Sequence, residues 1–379
     1  MCWRNGFRRG ISRVRTAVSY THLEGPNRGG LGGWGIYNED VREFLDLIRD
    51  TIAPTFTSLL EGCGGLALRR IFVRGVEMGD ELHSRQDACG LIAVNEMMRM
   101  LFERDVYKRQ ELRQIYDANG IEKGVVMCFG ASPECATDSL SMREARKLTE
   151  DYPDTLGWWF CGVDPRAGRN SAQTDFRPML RYYQQMGARG VGEVTAGLSL
   201  DDPRIMRLLE CCEETGMIVT LHLGSEKDYG VIDRLHLPLF EEMLKTFPKL
   251  IVMGHSARFW SELGDDVTEE TRATFAFGRM QKEGRVAQLM RKYPNLYGDL
   301  SSISGYNAMT RDPEYSYGFM EEFKDRLCFA TDISEKEHGD NEMMKLSSFL
   351  DQAVNAGRIS EEAYRKISRE NALRLLEKR

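Results

Sequence analysis

From Glu111 onward, runs of consecutive apolar residues alternate with amphipathic segments of helical length, and this alternation restricts the fold more than any other feature of the chain. The apolar runs are Gly124 to Phe129, LGWWFCGV, RGVGEV, MIVTLHL, LIVMGH, NLYGDLS and RLCFATD. Between them stand helix signals. ELRQIYDANG carries an Asn-Gly stop, and the segment from Thr174 to Met186 is closed by Gly187. PRIMRLLECCEETG is opened by Asp201, Asp202 and Pro203 and stopped by Gly216. LPLFEEMLKTFP, RVAQLMRKYP and PEYSYGFMEEFKD complete the set. Strands that are apolar on both faces are buried on both faces, and parallel strands need crossovers of this length. Seven strand-then-helix units indicate a parallel (β/α) barrel that is one unit short of eight. The tail from Ala356 to Arg379 reads as a last helical segment whose Ile367, Ala372, Leu375 and Leu376 face the barrel.

Three of these strands end on side chains suited to a divalent metal. MIVTLHL and LIVMGH end on His222 and His255 with one helix between them, and RLCFATD ends on Asp332. Loops leaving the C-terminal tips of parallel strands are free to vary while the strands stay buried, so ligands and catalytic groups collect there. One such histidine reads as a hydrogen-bonded core residue. Three metal-competent groups at equivalent places read as a site. Glu193, at the tip of GVGEV, is either a further ligand or a polar strand end bonded to loop amides.

The chain has 379 residues, is 42% hydrophobic and 29% charged, and can therefore bury a large core. Its net charge of -7 is spread over interspersed acids and bases, which argues against a nucleic-acid partner. No run approaches the roughly 18 apolar residues of a membrane span. The nine cysteines form no CxxC pair, and Cys128, Cys161 and Cys328 sit in apolar runs, the usage expected of a reducing cytoplasm.

The first 110 residues do not share the pattern. MCWRNGFRRGISRVRTAV holds five arginines and no acid, which superficially suits a mitochondrial presequence, without a secretory apolar region. VSYTHLE and RDVYKRQ both resemble translated sequencing-adapter fragments, and two such matches flanking one block make a chimeric N-terminal segment the expectation. Within that block GPNRGGLGGWG lacks the strand, the helix and the Lys-Ser/Thr ending of a phosphate-binding loop and reads as a linker. Asn38 to Ile52 has helical periodicity, LALRRIFVRGVEM could be a strand, and His83 is a surface residue. The domain division expected is 1–110 and 111–379.

On DANGIEKGVVM, TLHLG, MGHSARFW, LYGDLS, ATDIS and ISRENALRLL, in that order, residues 111–379 resemble the amidohydrolase-related (amidohydrolase 2) family of metal-dependent TIM barrels, which contains aminocarboxymuconate-semialdehyde decarboxylase-like enzymes. The resemblance implies a TIM-like (β/α)8 barrel, and these motifs correspond to its second and fifth to eighth strands and closing helix. It also implies a divalent metal, zinc being the expected ion. His222 takes the place of the fifth-strand metal histidine. His255 matches the sixth-strand histidine, which completes the metal shell or acts as a base beside it. Asp332 matches the eighth-strand aspartate that touches metal and activated water. Glu193 stands where the wider superfamily carries a carboxylate or modified lysine. The implied reaction is hydrolysis or non-oxidative decarboxylation of a small carboxylated molecule. The expected partners are that substrate and a second copy of the chain in a homodimer, with no nucleic acid and no membrane.

One departure weighs against activity. The family's first strand ends in His-x-His, and this chain contains none; His22 and His83 stand alone. The barrel is thus expected to be incomplete, its first strand unit missing or replaced, with strand edges exposed beside Gly124 to Phe129 and Arg326 to Thr331. An inactive, non-catalytic barrel is the alternative reading. Arg258, Trp260, Tyr306 and Asn307 are candidate substrate contacts, with packing at the barrel rim as the other reading for each. The long charged loop from Gly264 to Gly284 could be a lid. His236 reads as a cap-region residue and His338 as solvated.

Overall fold

The computed structural model describes residues 15–16, 111–128, 140–226, 229–274, 278–334 and 336–377. The chain divides into two units, 1–25 with 108–379 and 26–107, and the second lies wholly outside the described residues. His22, His83, the linker and the helix and strand expected between 24 and 104 therefore fall outside the description.

The sheet is parallel throughout. Its strands are β1 (Arg15–Thr16), β2 (Ile121–Met127), β3 (Leu156–Cys161), β4 (Ala188–Val194), β5 (Ile218–Gly224), β7 (Val252–His255), β8 (Leu296–Asp299) and β9 (Leu327–Cys328), neighbours in that order. A short β6 (Val231–Ile232) lies beside β5, off this path. The helices between strands are α1 (111–118), α2 (Met142–Asp151), α3 (Arg177–Gln185), α4 (Pro203–Thr215), α5 (Pro238–Thr246), α6 (Ala257–Trp260) and α7 (Arg285–Lys292). After β8 come α8 (Ser302–Thr310) and α9 (Pro313–Glu322), and after β9 come α10 (Lys345–Asn355), α11 (Glu361–Arg365) and α12 (Asn371–Glu377).

The helix signals act where the sequence puts them. Asp202 caps α4 by accepting from the Arg204 amide at 2.9 Å, Pro203 occupies its first turn, and Gly216 ends it at φ 71°. Ser141 and Glu144 form a capping box on α2. Side chains alternate across each strand. One set, including Val126, Cys161, Val219, Leu221, Val252 and Leu296, packs outward against the helices. The other fills the interior: Val125, Met127, Phe160, Ile218, Met253, Tyr297, Cys328 and Ala330, with Trp158 and Ile251 packed against them. Two differences from the sequence reading stand out. RLCFATD contributes only Leu327–Cys328 to the ladder, although the Ser302 amide still donates to the Thr331 carbonyl at 3.3 Å. The start of SSISGYNAM forms helix α8 immediately after β8.

The place of the first strand is held by two residues, Arg15 opposite Ile121 and Thr16 opposite Lys123. Among the described residues no ladder joins β1 to β9. The C-terminal segment covers the seam instead. The Phe329 amide, on the free side of β9, donates to the Ile367 carbonyl at 2.9 Å. Asn371 Nδ2 donates to the Leu327 carbonyl at 2.8 Å, and Arg369 reaches Glu122 on β2 at 2.9 Å. Ala372 and Leu376 of α12 join the interior cluster with Val125 and Cys328. The edges expected to be bare are thus partly satisfied, and no histidine stands on the described part of β1.

The loop read as a possible lid is tied down along its described part. Its ends pair at Gly264 and Glu283, and Gly284 donates to the Leu263 carbonyl at 2.7 Å. Arg272, 1% exposed, reaches the Asp233 carbonyl at 3.0 Å and Glu269 at 3.2 Å.

Candidate metal centre

Strand register gathers the polar residues at one level. His222 lies opposite His255 across the β5–β7 ladder, and Gly254 opposite Gly298 across β7–β8, which brings Asp299 level with His255. Each stands two positions beyond the preceding inward residue: Thr220 before His222, with the apolar Ile218 below it, Met253 before His255, and Tyr297 before Asp299. β4 enters through a shift of register between Val191 and Val194. Gly192, at φ 149°, sits there because a Cβ would stand 2.8 Å from that of Thr220.

Glu193, His222 and His255 each offer one ligand atom, all within 4.8 Å of one another. The Glu193 carboxylate lies between the rings, with Oε2 2.8 Å from His222 Nδ1 and Oε1 3.7 Å from His255 Nε2. The ring centroids are 5.1 Å apart. Glu193 and His255 are both buried, whereas the His222 side chain keeps 15% exposure, so the cluster opens toward solvent on the β5 side. There the Tyr229 ring lies 4.6 Å from that of His222.

The other nitrogen of His255, Nδ1, is 3.2 Å from Asp299 Oδ2 and 2.9 Å from Ser301 Oγ. Asp299 is fully buried and was given no role in the sequence reading. The available signal was its position: LYGDLS ends on an acid at the same strand-tip place as the two histidines. Asp332 lies just beyond β9 and stands outside the group of three. Burial, reinforced by the charge of Glu193 against the opposing pull of His255, raises its carboxyl to about 8. Burial works against a charge on His255, but Glu193 and Asp299 outweigh it and raise the ring to about 9.

The backbone beyond the tips is unusual. Ser256 (φ 94°), Ser302 (φ 63°) and Asp332 (φ 61°) follow β7, β8 and β9 in the left-handed region, where side chains other than glycine are uncommon. Such residues cluster at functional sites. Ser256 is held by its hydroxyl donating to the Leu223 carbonyl at 2.9 Å.

The donor set, two imidazoles and a carboxylate, fits a metal ion of the zinc type. Thr195 and Thr220, two residues along from Glu193 and before His222, carry buried hydroxyls without a hydrogen-bond partner in the protein. Buried polar groups are paired as a rule, so these orphans also fit a site that takes a polar occupant.

The candidate substrate contacts separate. Arg258 is half-buried on α6, three residues past His255. Trp260 is 3% exposed, packs against Phe259 and Phe319, and donates its one N–H to the Asp299 carbonyl at 2.7 Å. That leaves its indole no polar group for a substrate, and it serves the packing behind the site. Tyr306 is half-buried against the core. Asn307 lines a small pocket together with Trp260, Ser304 and Arg311, which none of the cluster of three lines. His236 hydrogen-bonds Glu262 beside the start of α5, and His338 accepts from the Ser334 amide at 3.3 Å. The described cysteines are all free and buried, and no helix among the described residues is long and apolar enough to cross a membrane.

Comparison with known proteins gives two family matches. The profile described as "Amidohydrolase" matches residues 140–378, and "Oxamate carbamoyltransferase subunit AllG" matches residues 13–142. No curated protein matches the chain. Among solved structures, an amidohydrolase from Burkholderia multivorans with bound zinc has 11% identity and a TM-score of 0.42, over 70% of this chain and 87% of that one. For a putative amidohydrolase from Staphylococcus aureus the values are 14%, 0.42, 75% and 96%. For a dihydroorotase from Campylobacter jejuni they are 12%, 0.40, 71% and 79%.

Proposed function

Because the chain belongs to the amidohydrolase family, we propose that it is a metal-dependent enzyme that breaks a C–N, C–O or C–carboxylate bond in a small carboxylated molecule. The observation that carries this reading is the buried Glu193–His222–His255 cluster at the strand tips. These three residues would hold a divalent ion, with zinc first in view of the imidazole donors. Such an ion supplies Lewis-acid chemistry, polarising a carbonyl or phosphoryl oxygen and acidifying water from a pKa of about 15.7 to about 7.

The chain's own residues do the rest. Asp332 is half-buried beside the cluster and can accept or return a proton at its carboxyl oxygen. Where His255 stands beside the ion rather than on it, its Nε2 can take up a proton and then steady a developing oxyanion or pass that proton to a leaving group. Arg258, Tyr306 and Asn307 are assigned to the substrate, with the guanidinium of Arg258 suited to its carboxylate. Asp332 is also a candidate further ligand.

In the same reading residues 1–110 form a separate, chimeric segment, and the enzyme is a cytoplasmic homodimer. The free, buried thiols support the reducing compartment.

The test is metal content per chain after purification and dialysis, for the unaltered protein and for Glu193→Ala, His222→Ala and Asp332→Ala. Near one equivalent in the unaltered chain, lost in the first two variants, supports the site. The fate of the ion in Asp332→Ala decides between ligand and proton carrier. Substrate screening then separates carbon dioxide release from hydrolysis. A chain that retains no ion would instead favour the non-catalytic barrel.

A further inference from the structure

The proposed site leaves Asp299 without a task, and its surroundings supply one. A buried carboxylate is costly unless its charge is paired or hydrogen-bonded. Asp299 is 0% exposed, and two contacts of its side chain lead to the same place. Oδ1 accepts the Ser301 amide at 3.1 Å, and Oδ2 faces His255 Nδ1 at 3.2 Å. Its backbone is held as well. The Trp260 indole donates to its carbonyl at 2.7 Å, and a Cβ on the preceding Gly298 would meet Leu327 at 2.7 Å and Trp260 at 2.9 Å. The carboxylate therefore has little freedom to leave the ring.

The two sides of the His255 ring are unequal. Nδ1 faces Asp299, and Nε2 faces Glu193 at 3.7 Å. A neutral imidazole carries one proton, and the hydrogen bond made by one nitrogen fixes the state of the other. A carboxylate at Nδ1 can only accept, so the proton stays on Nδ1 and the Nε2 lone pair is presented to the cluster. Ser301 Oγ, 2.9 Å from the same nitrogen, cannot impose this, because a hydroxyl both donates and accepts. His222 differs: its Nδ1 is turned to Glu193 itself.

We propose that Asp299 is a positioning residue that locks His255 with its proton on Nδ1 and its Nε2 aimed at the Glu193–His222 side of the site. The consequence for metal affinity rests on the metal-site reading above; the locked tautomer does not.

The experiment uses the full chain and has two readouts. The first is zinc affinity by competition with a chromogenic chelator, for the unaltered protein, Asp299→Asn and Ser301→Ala. The second is the ¹⁵N spectrum of histidine-labelled, zinc-free protein above pH 9, where His255 is neutral, the His255 signal being the one missing from His255→Gln. Asparagine keeps the shape but can donate to Nδ1 and so admits the other tautomer. Asp299→Asn is expected to weaken zinc binding by roughly 10- to 100-fold and to move the proton to Nε2. Ser301→Ala should leave both readouts close to the unaltered protein. An Asp299→Asn chain with unchanged affinity and unchanged tautomer overturns the proposal. If the unaltered protein takes up no zinc, the metal reading fails by itself, and Asp299 is judged by the spectrum alone. There, a neutral His255 protonated on Nδ1 upholds the lock and one protonated on Nε2 ends it. The same spectrum of the unaltered chain decides the matter if Asp299→Asn does not fold.

Discussion

Strands β2 and β3 on one side of the barrel, and β5, β7 and β8 on the other, start alike and end differently. All five send apolar side chains inward at their lower levels: Val125 and Met127, Trp158 and Phe160, Ile218, Met253 and Tyr297. On the second group the next inward positions are Thr220 then His222, His255 and Asp299. Packing and chemistry are thus separated by height along each strand and by side of the barrel. The candidate ligands Glu193, His222 and His255 come from β4, β5 and β7, and none of them from the described part of the first strand, Arg15–Thr16.

The largest test of that separation is Phe160→Ala. The ring is 1% exposed and fills the space over Gly190, where a Cβ would meet it at 2.5 Å. Its loss should cost about 3–5 kcal/mol of stability, read by denaturant unfolding, while the metal content of the folded fraction stays as before. Loss of the ion would mean that the two sides are coupled. Next in size is Glu193→Gln, which keeps the volume and removes the charge between the rings. Zinc affinity should fall by about 100-fold, at the upper end of what even an outer partner costs, with the circular dichroism spectrum unchanged.

A pH series sharpens the comparison, because its titrating groups lie on the polar side. His255 is raised to about 9 from 6.5, and Asp332 to about 8 from 3.8. For both, folding favours the protonated form. The His255 contribution is full below 6.5 and lost by about 9; that of Asp332 is full below 3.8 and lost by about 8. The Tm of the metal-free chain should therefore fall between these limits as pH rises. Zinc needs its ligands without their protons, so the rise in Tm on adding zinc should grow over the same interval. A zinc effect that shrinks with pH would detach these groups from the ion. The smallest effect belongs to the helix layer. Asp202→Ala removes the cap of α4 and should cost about 1 kcal/mol by thermal unfolding, with metal affinity untouched.

The sequence carried this architecture from Glu111 onward because burial on both faces leaves continuous apolar runs, and caps such as Asp202 and Gly216 are local signals. His222 and His255 were legible for the same reason: each interrupts a run at its end. Asp299 interrupts NLYGDLS in the same way and was passed over, since an acid at a strand end also suits a turn, and only the β7–β8 register reveals that it faces a histidine. For Trp260 the packing alternative holds: three residues past Ser256-Ala257 it lies on α6, which folds the indole under Asp299. The two-residue β1 could not be read at all, because so short a strand has no period and its pairing is set by distant residues.

The seam gives the molecule an order of assembly. Ile367, Arg369, Asn371, Ala372 and Leu376 join the last strand to the second, and all of them follow in the chain the strands that they join. Strands made earlier must wait with an unsealed border until that segment has been made, a period in which unpaired edges and apolar interior surface invite association with other chains. Closure of this barrel is thus set by the arrival of one helical segment rather than by the pairing of its strands.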